Sequence, residues 1–287
     1  MEIEPFYDER TSTLTYVVFD CGARVGVVID PVLDFDAASG RTWTESADAV
    51  ARFLDDRGLR VPYVLDTHAH ADHITAIPYF KLRYGARSVI GAHITAVQQA
   101  TREIFHLGDT CPTDGRPFDV LIADGEKLDV GPFIVEALHT PGHTPACMTY
   151  RIGDALFVGD TLFQPDYGTA RCDFPGGSAE ELHASISRLY ASFPRETRVF
   201  TCHDYRPGGR PMQFESTIWE QAAHNVQLNT RTSRQDFIAF RKTRDASLAM
   251  PALILPSIQL NVRAGELPAP EANGVSYLKL PLDYFER

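Results

Sequence analysis

The sequence predicts one mixed α/β domain in which strands and helices alternate, and three observations support this. Short apolar runs of strand length alternate with longer segments whose apolar residues recur at helical spacing. The chain of 287 residues can bury a substantial core, and it contains no repeat, low-complexity tract or long Gly/Ser linker that would divide it. Chemically active side chains recur directly after several strand-like runs, as expected where a rigid sheet positions a site.

The first half of the chain begins with a predicted hairpin and a helix. Leu14–Phe19 and Val25–Ile29 are rich in β-branched and aromatic residues, with a turn at Asp20–Gly22 between them. Thr44–Leu59 carries apolar residues at helical spacing, and Gly58 ends this helix. The elements predicted next are strand Val61–Leu65, helix Ile74–Leu82, strand Ser88–Ile90 and helix Ala96–Phe105.

The second half contributes further strands and then helices. Ser178 is the predicted N-cap of a helix that runs to about Tyr190, with Glu181 at the capping-box position. The strands predicted in this half are Phe133–Leu138, Leu156–Val158 and Val199–Thr201, and the later helices are Phe214–Leu228 and Arg234–Arg244.

Composition and charge exclude several classes of function. A net charge of −11 argues against a nucleic-acid surface, which needs clustered Lys and Arg. The acidic start Met1–Glu4 precedes no apolar segment of a signal peptide, and no apolar run approaches the ~20 residues of a membrane span. The five cysteines are odd in number and lack CxxC spacing, which favours reduced thiols in a cytoplasmic enzyme.

One heptapeptide, Thr67–His73, concentrates metal-binding side chains. It places three histidines and a carboxylate within six positions: His68, His70, Asp72 and His73. The heptapeptide lies between the predicted strand Val61–Leu65 and the predicted helix Ile74–Leu82, where side chains can converge on one point. Since imidazole is the commonest metal ligand near neutral pH and carboxylates complete such sites, the cluster indicates a metal centre more than a polar surface loop.

Further candidate ligands follow later strands. They are His143 after Pro141-Gly142, Asp160 after Gly159, and His203 in the tripeptide His203–Tyr205. The Pro-Gly pair predicts a tight turn with close backbone approach. Alone, each histidine could be an ordinary core or surface residue and Asp160 a turn residue. Together with the heptapeptide they indicate a site for one metal ion or two.

The order of these motifs resembles the metallo-β-lactamase superfamily. The stretches THAHADHI (67–74), TPGHTPAC (140–147), ARCDF (170–174) and HDY (203–205) are similar to those of its persulfide dioxygenase group, with glyoxalase II as the nearest neighbour outside that group. The resemblance extends from about Tyr16 to about Gly265. It implies an αββα sandwich of two mixed β-sheets with helices on the outer faces and ligands on loops at one edge.

The resemblance also implies a particular metal arrangement. Persulfide dioxygenases hold one Fe(II) by two histidines and a carboxylate, which here are His68, His143 and Asp160. Such a triad leaves coordination positions open for a substrate sulfur and dioxygen. His70, Asp72, His73 and His203 then orient the ligands through hydrogen bonds or bind a second ion. Two zinc ions bridged by Asp160 remain the alternative, and zinc could also replace iron in a purified sample.

Candidate substrate residues surround these motifs. The family reads GRTDF where this chain reads Ala170–Phe174, so Arg171 and Asp173 keep their places while Cys172 replaces a threonine. We expect Arg171 and Asp173 to form an ion pair that braces the loop, and Cys172 to be a bystander. The Tyr205 hydroxyl can bond a substrate or an oxygen intermediate. On the following loop, Arg206 and Arg210 are candidate clamps for glutathione carboxylates.

The function implied is oxidation of glutathione persulfide, or of a related low-molecular-weight persulfide, by O2 to sulfite and the free thiol. Two rivals remain. One is a binuclear hydrolase of glyoxalase II or lactonase type, in which a metal-bound hydroxide attacks an ester or thioester. The other is a metal-bearing binding or sensing module without turnover.

The match to the family ends near Gly265. We therefore predict a catalytic domain over residues 1–265 and a C-terminal extension over residues 266–287. Glu266–Gly274 is Pro-rich and extended, and Val275–Leu282 is predicted as a short strand whose leucines need cover. So many large apolar residues are unusual in a disordered tail. We expect the extension to pack on the domain or across a homodimer interface, with the dimer preferred.

Overall fold

The computed structural model describes residues 1–284, in which strands and helices alternate along the chain. The strands are β1 (Glu2–Asp8), β2 (Thr13–Asp20), β3 (Val25–Ile29), β4 (Val32–Asp36), β5 (Arg41–Trp43), β6 (Arg60–Leu65), β7 (Ile74–Thr75), β8 (Arg87–Gly91), β9 (Val120–Ile122), β10 (Lys127–Asp129), β11 (Ile134–His139), β12 (Met148–Ile152), β13 (Ala155–Phe157), β14 (Arg198–Phe200) and β15 (Glu215–Thr217). The helices are α1 (Glu45–Asp56), α2 (Ile77–Tyr84), α3 (Ile94–Ile104), α4 (Ala179–Ser192), α5 (Ile218–His224), α6 (Arg234–Asp245) and α7 (Ile254–Asn261).

The strands form two six-stranded sheets, in the orders β1-β2-β3-β6-β8-β9 and β10-β11-β12-β13-β14-β15. Both sheets are mixed: β3, β6, β8 and β9 run parallel to one another and β13 runs parallel to β14, whereas the remaining neighbours are antiparallel. A small third sheet has the order β5-β4-β7. This arrangement confirms the predicted αββα sandwich of two mixed sheets.

The side chains of β2 show how the layers are built. Val17 and Phe19 pack with apolar residues of α1, α2 and α3, whereas Tyr16 and Val18 pack with residues of β12, β13 and β14 from the other sheet. Successive side chains of a strand point to opposite faces, so β2 is buried on both. A third cluster joins the second sheet to α4 and α6. The four layers are therefore helix, sheet, sheet and helix.

Most predicted elements are present within a few residues of their expected bounds, but the helix predicted over Ile74–Leu82 starts late. Ile74 and Thr75 instead pair with Leu33 and Val32 as strand β7. The helix begins at Ile77, with Pro78 in its first turn, where a missing N–H costs no helical hydrogen bond. The metal motif is therefore followed by a short strand rather than directly by a helix.

The helix predicted over Phe214–Leu228 is also wrong at both ends. Glu215–Thr217 is an edge strand paired with β14. Thr217 then starts the helix with a complete capping box, in which its side chain and that of Glu220 satisfy each other's backbone N–H groups. The helix ends at His224.

The described part of the C-terminal extension, residues 266–284, forms no helix or strand. The strand predicted over Val275–Leu282 is therefore wrong. Lys279 instead exchanges two hydrogen bonds with the side-chain amide of Gln259 on α7, at 3.0 and 2.9 Å. Leu280 and Leu282 stay 64% and 75% exposed, so residues 1–284 do not cover these two side chains.

The domain boundary at Gly265 and the homodimer stay predictions, and residues 285–287 lie outside the described residues. Among residues 1–284 no helix has the length and apolarity needed to cross a membrane.

Candidate metal centre and adjoining cavity

The candidate ligands reach one place because four strands of the two sheets end there. His68–His73 follow β6 of the first sheet. His143, Asp160 and His203 follow β11, β13 and β14 of the second. Seven predicted metal-site residues thus come from both sheets and meet at one edge of the sandwich.

Two glycines allow the backbone to pack closely just before two of these residues. Gly142 has φ of 139°, and a Cβ there would lie 2.3 Å from the backbone nitrogen of Leu182 at the start of α4. Gly159 has φ of 52°, and a Cβ there would lie 2.5 Å from Thr67 Oγ1. A side chain at either position would clash with these atoms, so the backbone before His143 or Asp160 would have to shift.

The ring and carboxylate atoms that face the centre are buried, and they have no partner outside the candidate ligand set. Three imidazole atoms make no hydrogen bond within the described structure: His68 Nε2, His70 Nδ1 and His73 Nε2. The inner atoms of Asp72, Asp160 and His203 contact only one another. Buried polar atoms are nearly always satisfied, and converging orphan imidazole and carboxylate atoms are what a metal ion satisfies. The residues present therefore fit a bound transition metal.

In four of the histidines, the ring nitrogen that points away from the centre contacts another group of the protein. The contacts join His68 Nδ1 to Thr67 Oγ1 at 3.1 Å, His70 Nε2 to Asp30 Oδ1 at 3.0 Å, His143 Nδ1 to the Arg171 carbonyl at 2.8 Å and His203 Nδ1 to the Ser12 carbonyl at 3.2 Å. Each contact orients its ring. Where the imidazole is neutral, the contact also keeps the proton on the outer nitrogen, so that the inner nitrogen can bind a cation.

The Asp160 carboxylate lies between two groups of ligands. Its Oδ2 is 3.6 Å from His143 Nε2 and 4.0 Å from His68 Nε2. Its Oδ1 is 3.3 Å from His203 Nε2, which in turn lies 2.9 Å from Asp72 Oδ2. The triad implied by the resemblance, His68, His143 and Asp160, has its ligand atoms within 4.8 Å of one another. The geometry accommodates one ion at this triad and leaves a second ligand set beside it.

Burial and charge set the protonation of these groups. Burial holds the pKa of His68 and His70 well below its ordinary value, so both are neutral ligands. Burial opposes the charge of His203, but Asp72 and Asp160 outweigh it and raise the pKa of His203 to about 10. A metal ion that binds His203 must displace that proton, so filling the second ligand set releases protons into solution.

Sequence reasoning missed two buried groups at this centre. Asp30 accepts hydrogen bonds from the backbone nitrogen and hydroxyl of Thr67, at 2.7 and 3.0 Å, and holds His70. Its position directly after strand Val25–Ile29 was the available signal. Cys202 has no role in the sequence prediction, yet its sulfur lies within 4.8 Å of ligand atoms of Asp160 and His203. Burial and neighbouring carboxylates hold the pKa of Cys202 well above its ordinary value, so it stays a thiol.

The loop after Asp160 carries the expected ion pair. Arg171 donates to both carboxylate oxygens of Asp173 at 2.6 Å, and also to the Ala249 carbonyl at 2.7 Å. The backbone nitrogen of Cys172, which lies between Arg171 and Asp173 in the sequence, donates to Asp245 at 2.9 Å. Burial raises the pKa of the Cys172 thiol to about 12, and the side chain does not line the cavity beside the metal centre. This agrees with a bystander role for Cys172.

A cavity of about 360 Å³ opens beside the metal centre. His143 and Asp160 line its floor, and Tyr205 lines its wall. The Tyr205 ring stacks on His203 with 5.6 Å between ring centroids. The other walls combine arginines with aromatic and apolar side chains, among them Arg10, Arg171, Arg241, Arg244, Phe163, Tyr167, Phe174 and Leu253.

Arg206 and Arg210, the predicted glutathione clamps, do not line this cavity, so the structure does not bring them to it. Arg206 pairs with Glu9 at 2.6 Å. Arg210 pairs with both Asp166 and Asp204, at 2.9 and 2.8 Å. In this acidic chain both guanidinium groups are neutralised by nearer carboxylates.

A different arginine is available in the cavity. Arg244 on α6 is half-buried, lines the cavity and has no ion-pair partner within residues 1–284. Arg10, Arg171 and Arg241 are instead paired with acidic residues. Arg244 was predicted only as part of a helix, because nothing in the local sequence shows which face of α6 meets the cavity.

Comparison with known proteins gives a family match. The model of the metallo-β-lactamase superfamily matches residues 9–203. A solved structure, ETHE1 from Myxococcus xanthus, superimposes with a TM-score of 0.74 at 30% identity, covering 93% of this chain and 100% of that one.

Proteins that are similar in sequence to this chain have names that indicate different functions. A probable metallo-hydrolase of Burkholderia pseudomallei is 49% identical, over 99% of both chains. A protein named glyoxylase B2 from Dictyostelium discoideum is 42% identical, over 100% of this chain and 98% of its own. The mitochondrial persulfide dioxygenase ETHE1 of Bos taurus is 30% identical, over 92% of this chain and 88% of its own.

Proposed function

Since the chain belongs to the metallo-β-lactamase superfamily, we propose that it is an iron-dependent dioxygenase that oxidises glutathione persulfide or a related low-molecular-weight persulfide. The observation that carries the proposal is the triad of His68, His143 and Asp160, whose inner atoms converge beside an open, arginine-bearing cavity. Similarity to the persulfide dioxygenase of Bos taurus and to the Myxococcus structure supports the same activity.

Two imidazoles and one carboxylate fit Fe(II), which when bound supplies open positions for the terminal sulfur and for O2. The overall reaction consumes one persulfide, one O2 and one water, and yields one thiol and one sulfite with two protons. Both atoms of O2 are transferred to the terminal sulfur, which is oxidised while O2 is reduced. The S–S bond breaks, and the thiol sulfur keeps the bonding electron pair with a proton.

The residues of the chain bind and orient the substrate. Arg244 is free to pair with a carboxylate of glutathione, since a guanidinium matches a carboxylate with two parallel hydrogen bonds. Tyr205 lines the cavity with its ring stacked on His203, and its hydroxyl would bond the sulfur or an oxygen on it. Phe163 and Phe174 narrow the cavity and limit water at the centre. These contacts would hold the persulfide in a reactive orientation.

A binuclear hydrolase is the second candidate, and one observation favours it. The two oxygens of Asp160 face different ligands, His143 on one side and His203 on the other, as a bridging carboxylate would. The Burkholderia relative is named a metallo-hydrolase, in line with this alternative. The two candidates differ in that the activity of a hydrolase would not depend on oxygen and its site would hold two ions.

The experiment that separates the candidates pairs metal analysis with oxygen uptake. Protein purified without added metal should contain one iron per chain and consume O2 with glutathione persulfide. Two zinc ions per chain and hydrolysis of S-lactoylglutathione would favour the hydrolase, and no turnover of either substrate would favour a sensing module. The five cysteines are all free, in line with the proposed cytoplasmic location.

A further inference from the structure

A second, smaller cavity lies behind the metal motif. It has a volume of about 50 Å³ and is bounded by α3, α7 and the segment at Phe174. Its inner wall includes Ala69, Ala71 and Thr144. The two alanines alternate along the chain with the candidate ligands His68, His70 and Asp72, and Thr144 directly follows His143. The cavity therefore reaches the backbone that carries the metal site.

The lining of this cavity is apolar. From α3 and its C-terminal end come Val97, Ala100, Ile104 and Phe105, and from α7 come Ile254 and Ile258. The two hydroxyls in the wall belong to Thr101 and Thr144, and that of Thr144 contacts the Cys147 sulfur at 3.1 Å. No charged side chain lines it. A cavity of this kind does not hold water well but accepts small apolar atoms and molecules.

The cavity runs from the surface towards the larger cavity. Ala69 and Thr101 are 2% exposed at its inner part, whereas Ala100, Ile104 and Ile258 are only partly buried at its outer part. Ala71 and Phe174 line both the apolar cavity and the arginine-bearing cavity. These two side chains therefore lie between the apolar cavity and the larger cavity at the metal centre.

We propose that this apolar cavity binds dioxygen and conducts it to the metal centre. A persulfide anchored in the arginine-bearing cavity would obstruct approach from that side, so an uncharged diatomic gas needs another route. The apolar lining rejects the anionic persulfide and admits O2. The inference rests on the proposed dioxygenase function and adds to it the site and path of the second substrate.

Xenon is the probe for binding, since it occupies apolar cavities and needs no turnover. Crystals of the iron-loaded full-length protein are pressurised with xenon, and anomalous density is expected between Ala100 and Ala71. Ala100→Phe, which places a ring in the outer part of the cavity, should abolish that density. Absence of xenon from the wild-type cavity would overturn the inference.

Kinetics test the path itself. Ala100→Phe should raise KM for O2 severalfold and leave KM for glutathione persulfide and kcat at saturating O2 unchanged. Ala100→Leu is the smaller change for use if the phenylalanine variant does not fold, and it should shift KM for O2 in the same direction. Ala96→Phe is the matched control, because Ala96 is exposed on the same helix and does not line the cavity.

The outcomes distinguish this inference from the proposed function. Oxygen uptake by the wild type with an unchanged KM for O2 in both Ala100 variants would overturn the gas path and leave the dioxygenase intact. A wild-type protein that consumes no O2 with persulfide would overturn the proposed function and the oxygen role of the cavity together, even if xenon bound.

Discussion

The imidazole Nδ1 of His143 donates a hydrogen bond to the carbonyl oxygen of Arg171 at 2.8 Å. This contact joins one candidate metal ligand, His143, to the loop that follows a second candidate ligand, Asp160. The loop is held in turn by the ion pair of Arg171 with Asp173 and by the bond from the Cys172 nitrogen to Asp245 on α6. Helix α6 therefore helps to set the orientation of a ligand on a distant strand end, as groups that hydrogen-bond metal ligands commonly do.

This relationship predicts the effect of Arg171→Ala. The substitution removes the two bonds to Asp173 and the bond to the Ala249 carbonyl, and leaves the backbone carbonyl that orients His143. We expect kcat/KM for persulfide to fall about tenfold, or about 1.4 kcal/mol, with iron largely retained. Steady-state kinetics and iron analysis on the same preparation check this.

Arg151→Ala is the control for Arg171→Ala, because Arg151 forms an exposed ion pair with Glu136 on the second sheet, away from the cavity. It should leave kcat/KM unchanged. Equal kinetics for wild type and Arg171→Ala would reduce Arg171 to a surface charge.

Asp160→Ala tests the ligand assignment without any assay of activity. It removes the anionic donor whose oxygens lie 3.6 Å from His143 Nε2 and 3.3 Å from His203 Nε2. Iron per chain should fall to near zero, while the melting temperature of the metal-free protein should not decrease, because burial of the carboxylate raises the pKa of Asp160 and makes its charge costly. A variant that still binds one iron per chain would contradict the triad.

Arg244→Ala tests substrate recognition. If Arg244 pairs with a glutathione carboxylate, its loss should raise KM for glutathione persulfide about tenfold, with kcat and iron content little changed. Lys242→Ala is the matched control, an exposed cation on the same helix that pairs with Glu180. Arg206→Ala should also be without effect, since its guanidinium is paired with Glu9. A KM for glutathione persulfide that rises in Arg206→Ala and not in Arg244→Ala would instead identify Arg206 as the residue that binds the glutathione carboxylate.

The C-terminal extension can be tested by ending the chain after Gly265. Truncation removes the bonds between Lys279 and Gln259 and the exposed Leu280 and Leu282. We expect a melting temperature lower by a few degrees or, if these leucines lie at a dimer interface, a halved mass in sedimentation, with iron content unchanged. Unchanged melting temperature and mass would show that the extension contributes neither stability nor assembly.

The parts of the fold and site that sequence predicted are those encoded locally. The apolar run of β2 and the candidate ligands that follow β6, β11 and β13 can be recognised without knowledge of distant partners. Ser178 as N-cap of α4 is a contact over three residues, and its side chain accepts from the Glu181 nitrogen at 3.2 Å.

What sequence could not predict depends on distant contacts. Ile74 forms a strand because Leu33, far earlier in the chain, offers a pairing edge. Arg206 is occupied by Glu9, which is 197 positions away, so its local setting gives no sign that it is neutralised. The alternating residues of the extension find no sheet edge, and Lys279 instead pairs with the Gln259 side chain.

The most direct test of the central claim is oxygen consumption by the iron-loaded protein with glutathione persulfide, measured together with sulfite. We predict one O2 consumed for each sulfite released, and no sulfite under strictly anaerobic conditions. Turnover that continues without oxygen, or hydrolysis of S-lactoylglutathione as the only activity, would contradict the assignment as a persulfide dioxygenase.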